Sequence, residues 1–121
     1  MATLIERIRT ARQQRVPSRG KIFIVRRPTD LEAMELREAG GIKQGELITR
    51  FVCGWEAFTE LDLVPGGGPD AVAFDAALFA EYIADHPEHW PTIVDAVMGG
   101  YQTHQDARAD TVKNSAPGSI S

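Results

Sequence analysis

The run Lys21-Ile22-Phe23-Ile24-Val25-Arg26-Arg27, bounded by Gly20 and Pro28, constrains this chain more than any other segment. Its β-branched and aromatic residues with basic ends read as a strand, and no other run reads so clearly as one. A lone strand presents a row of unpaired amide and carbonyl groups, so it must find a neighbour. The candidates are Leu63-Val64, the stretch Ala71 to Phe74, and the same strand of a second copy. Elsewhere the apolar residues recur at helical spacing. The expected fold is therefore mainly α: a small single domain of about four to five short helices with one short N-terminal β-strand, extended at most to a small hairpin.

Local signals place those helices. Residues Thr3 to Arg15 read as a short helix with Leu4, Ile5 and Ile8 on one side, ended by Val16-Pro17-Ser18-Arg19-Gly20. An apolar stripe of about two turns is marginal in water, so this helix needs a docking surface. Thr29 and Glu32 form the reciprocal pair of a capping box, opening a helix that stops at Gly40-Gly41. A second helix is expected from about Gln44 to Cys53, with Leu47, Ile48, Phe51, Val52 and Trp55 recurring at helical spacing, and Gly54 ends it. Asp75 caps the next one, with Phe74 and Phe79 placed as a hydrophobic staple. Asp85-His86-Pro87 ends it, because the residue before proline is pushed out of the α region. Pro91 suits the first turn of a last long helix, whose stripe is Trp90, Ile93, Val94, Val97, Met98 and Tyr101. Gly99-Gly100 in its middle suggests a close contact or a yielding point. On this reading residues 1–20 are a basic N-terminal arm, residues 21–113 a helical globular domain, and residues 114–121 a flexible C-terminal tail.

Charge is unevenly spread. Eight of the 13 basic residues but only one of the 17 acidic residues fall between Met1 and Arg27. Such a chain can pair its arm with its own body, a second copy or an acidic partner. Nucleic acid is disfavoured, because the arm has no aromatic ring for stacking and the body repels phosphate. No window approaches a membrane span, and the N-terminus lacks the apolar core of a secretory signal. The single cysteine, Cys53, rules out an internal disulfide. Among Phe51, Val52 and Trp55 it reads as a small buried thiol in a reducing, cytoplasmic setting.

Reactive chemistry finds little footing. His86 and His89 flank a helix-breaking proline, which denies them a shared helical face for a metal, and surface or capping roles are expected. The serines lie in linkers and the tail, not on a strained turn. Gly66-Gly67-Gly68 between Pro65 and Pro69 lacks the lysine of a phosphate-binding loop. No catalytic, cofactor or metal residues are assigned. Trp55, Phe74, Phe79, Tyr82 and Trp90 at helical spacing are more often core than interface, yet a domain this small leaves part of such a surface available, and with Val94 they are the residues expected to offer a partner an apolar groove between the Asp75 and Pro91 helices.

Several parts in order complete the picture: Phe23-Ile24-Val25-Arg26-Arg27-Pro28-Thr29, then Phe51-Val52-Cys53-Gly54-Trp55, then Val72-Ala73-Phe74-Asp75 opening a helix. A proline-marked break follows, and a helix through Ala96 to Tyr101 ends in Lys113-Asn114. From Lys21 to Asn114 this order resembles the tail assembly chaperones of long-tailed bacteriophages. The resemblance implies a mainly helical, non-enzymatic protein that binds the tape measure protein and keeps it soluble. It also implies recruitment of tail tube subunits, absence from the finished virion and, in some members, a longer frameshifted form. The alternatives are a head–tail connector or tail completion protein that stays in the particle, and a small nucleic-acid-binding regulator using the basic arm.

Overall fold

Strand β2 (Lys21–Arg26) finds its first partner immediately upstream. Residues Gln13–Ser18 form β1 and pair with it antiparallel, from Ser18 opposite Lys21 to Gln13 opposite Arg26. The two-residue connection has positive φ at both Arg19 (50°) and Gly20 (81°). That is the signature of a type I′ turn, whose twist matches the strands it joins. The second partner is β3 (Val52–Glu56), giving a three-stranded antiparallel sheet in the order β1-β2-β3. The structure is a computed structural model that describes residues 1–115.

The expectation of a mainly helical domain with one strand is therefore corrected to a small mixed α/β domain. None of the expected neighbours of β2 pairs with it; both of its partners come from segments read as helix or helix break. Pro17 is tolerated because β1 lies at an edge, where a missing amide costs no ladder bond. In β3 the register shifts between Ile24 and Val25, so Cys53 forms a bulge. Gly54 faces Ile24, whose side chain would lie 3.1 Å from any added Cβ.

Six helices accompany this sheet among the described residues: α1 (Leu4–Thr10), α2 (Asp30–Glu38), α3 (Gln44–Phe51), α4 (Glu60–Leu63), α5 (Ala76–Ala84) and α6 (Trp90–Ser115). The capping box of α2 is present, with Thr29 accepting from the Glu32 amide and Glu32 from the Thr29 amide. Its far end closes as a Schellman motif, Gly41 N–H to Leu36 C=O and Gly40 N–H to Arg37 C=O. Asp75 caps α5 through the amides of Ala77 and Leu78, and the Phe74 and Phe79 rings meet at 5.9 Å. A 3-10 turn, Pro87–His89, joins α5 to α6. In α6, Gly100 allows the hairpin to approach, since an added Cβ would come 3.3 Å from the Arg27 Cβ. The helix continues through Asn114 and Ser115; residues 116–121 of the expected flexible tail lie outside the described residues.

One face of the sheet buries Val16, Phe23, Val25, Val52 and Trp55 against α3, α5 and α6. Phe23 is 0% exposed at the centre, with ring partners Phe58, Phe79 and His89 at 5.0–5.9 Å. The glycine-rich stretch after α4 folds back on itself through Glu60 N–H to Asp70 C=O and Val72 N–H to Phe58 C=O. In contrast, α1 buries none of its residues; Leu4, Ile5 and Ile8 are all exposed.

Candidate functional site

The aromatic residues expected to face a partner belong mostly to the core. Trp55, Phe79 and Tyr82 are buried, while Phe74, Trp90 and Val94 are half-buried against them. Trp55 stacks on Phe58 at 4.3 Å and meets Phe74 edge-on at 5.3 Å. Its indole N–H donates to Val72 C=O at 2.8 Å, and that of Trp90 donates to Ile83 C=O at 2.7 Å. These rings close α5 and α6 over the sheet. Val94 alone of the six also lines a large open groove on another flank of α6.

That groove, of about 700 Å³, lies between α2, the start of α3 and α6. Its apolar walls come from Ala33, Leu36, Ile42, Leu47, Val94 and Met98. Helical spacing explains the walls: Ala33, Leu36 and Gly40 share one side of α2 and its cap, and Val94, Met98, Tyr101 and Gln105 one side of α6. Met98 is 55% exposed, and Leu31 and Met34 add further exposed apolar surface on α2. Volume and lining suit helix-in-groove recognition.

Ion pairs fix the elements around the groove. Asp30 accepts from the Tyr101 hydroxyl at 2.9 Å and also meets His104 and Arg108, so the N-terminus of α2 is tied to α6. The bonds from His104 and Tyr101 hold the Asp30 carboxyl down to about 2. Glu32 takes a two-bonded Arg26 guanidinium at 2.8 and 3.0 Å and a further contact from Arg50. Arg26 holds its carboxyl, too, down to about 2. Tyr101, His104 and Arg108 fall three and four residues apart, so continuing the stripe beyond Tyr101 would have exposed this anchor in the sequence.

His89, expected at the surface, is 2% exposed. Its Nδ1 lies 2.7 Å from Ser18 Oγ and its Nε2 lies 3.0 Å from the Tyr82 hydroxyl. Both ring nitrogens are thus committed to buried hydroxyls 71 and 7 residues away. Ser18 is itself buried, and with both ring nitrogens bonded to hydroxyls the trio forms an internal link between β1, α5 and the turn before α6. Cys53 is exposed at the bulge, a correction to the expected buried thiol; its Sγ lies 3.5 Å from Ile24 C=O. Among the described residues no group of three or more His, Cys, Asp and Glu side chains is placed to hold a metal, and no helix is long and apolar enough to cross a membrane.

These charges set an expected acid response. Burial pushes the His89 imidazole below its ordinary value of 6.5, so the unfolded chain takes up that proton more readily. The stabilisation is complete above pH 6.5 and is lost as pH falls through the folded value. The slope for one histidine is at most about 1.4 kcal/mol per pH unit. Asp30 and Glu32 contribute fully above their ordinary values of 3.8 and 4.5 and lose that contribution as pH falls towards 2. Urea unfolding between pH 7.5 and 5 should show the first decline, and His89→Leu should flatten it. An unchanged slope in that variant would contradict the assignment.

No protein-family model, curated protein or solved structure matches this chain.

Proposed function

We propose that this chain is a tail assembly chaperone of a long-tailed bacteriophage. It acts in the host cytoplasm without catalysis, binding exposed apolar helices of the tape measure protein, keeping that protein soluble and helping to recruit tail tube subunits. The observation that carries the reading is the open apolar groove between α2, α3 and α6. A long helical client exposes apolar stripes until a tube encloses it, and a groove of this kind shields such a stripe. Burial contributes roughly 25 cal/mol per Å² of apolar surface, offset by the cost of association. Many modest contacts along one client give avidity while each remains displaceable. The acidic body, which carries all but one of the 17 acidic residues, keeps the complex soluble.

Co-expression provides the test. With this chain present, the tape measure protein should move from the insoluble to the soluble fraction and co-purify with it. Equal insolubility with and without the chain would refute the reading. Persistence of the chain in purified virions would instead support a head–tail connector.

A further inference from the structure

We infer that the helix accepted by the α2–α3–α6 groove carries a carboxylate beside its apolar stripe, and that Arg37 holds it. This rests on the groove being the partner site. Among the described residues that line the groove, Arg37 is the one charged side chain. It sits in the last turn of α2, exposed, and among the described residues it forms no ion pair and no side-chain hydrogen bond. Position alone gives it a modest structural role, because a cation near a helix C-terminus is favourable. Its neighbours in the same helix differ: Asp30 is engaged by Tyr101, His104 and Arg108, and Glu32 by Arg26 and Arg50. The acids nearest the N-terminus of α2 are thus matched, while the guanidinium at the groove is left to face an occupant.

Charge also decides against the obvious rival occupant. The exposed stripe of α1, Leu4, Ile5 and Ile8, would match the groove by polarity, but Arg7 and Arg9 accompany it and outnumber its single acid, Glu6. Seating α1 of a second copy there would bring Arg37 more like charge than opposite charge. An acidic amphipathic helix meets the same apolar walls and adds a charge-assisted pair, which a planar guanidinium can make with two parallel bonds.

Two synthetic helical peptides with the same leucine stripe, one flanked by glutamate and the other by lysine, test this by titration calorimetry against the full chain. The glutamate peptide should bind about five- to tenfold tighter at low salt, with the gap narrowing as salt rises. Arg37→Ala should equalise the two peptides, and Arg37→Glu should reverse their order. Equal binding of both peptides to the wild type, with Met98→Asp still abolishing it, would overturn the acid preference and leave the groove standing. Binding untouched by Met98→Asp would overturn the groove itself. A wild-type dimer in sedimentation that either peptide dissociates would make a second copy the occupant and overturn the inference.

Discussion

Replacing Phe23 by alanine is expected to cost about 3–5 kcal/mol of folding free energy. The ring is 0% exposed on the central strand and touches Phe58, Phe79 and His89. Its removal deletes buried apolar surface and leaves a hole between sheet and helices that α3, α5 and α6 fill only partly. Small domains have total stabilities of about 5–15 kcal/mol, so the variant should sit near the edge of folding. Urea unfolding followed by tryptophan fluorescence measures the loss, with Leu4→Ala as a control expected within about 0.5 kcal/mol because that side chain is 70% exposed. A loss below about 1 kcal/mol for Phe23→Ala would contradict the sheet-centred core.

Met98→Asp should behave in the opposite way, sparing the fold and removing the function. The side chain is exposed on α6 and lines the groove, so its replacement in the free protein should alter stability by about 0.5 kcal/mol or less. In a complex the same carboxylate would be buried against an apolar helix, and burying an uncompensated charge is strongly unfavourable. Capture of the tape measure protein should therefore fall at least about tenfold, whereas Met98→Leu should retain it. Phe79→Asp and Trp90→Asp are poor probes of binding. Phe79 is fully enclosed and Trp90 anchors α5 through Ile83, so either change should first unfold the chain. Full binding by folded Met98→Asp would place the partner surface elsewhere.

Elements with local signals were legible in the sequence, and those defined by distant partners were not. The α2 capping box, the Asp75 cap and its phenylalanine staple each lie within five residues, and the structure has them as expected. β1 was hidden because Gln13, Gln14 and Arg15 are polar and are good helix formers, and an edge strand with only Val16 and Ser18 buried has little pattern to read. β3 was hidden because α3 ends at Phe51 and the strand begins at Val52 with no glycine or proline between them. Phe51, Val52 and Trp55 satisfy helical spacing as well as strand spacing, and the pairing with β2 decided the outcome. The apolar character of Trp55, Phe79 and Tyr82 was evident; that a sheet lies beneath them was not. The groove joins residues 28–47 to residues 94–105 and leaves no local signature. His89 likewise depends on Ser18, 71 residues away.

The central claim, that the face formed by α2, α3 and α6 receives a helix of the tape measure protein, is tested most directly by a photoreactive amino acid placed at Met98. After co-expression and irradiation, mass spectrometry should find position 98 joined to an apolar, glutamate- or aspartate-bearing helix of the tape measure protein. A control probe at Leu61, exposed on α4, should give none of that product. Cross-links to the tape measure protein from Leu61 and none from position 98 would contradict the account.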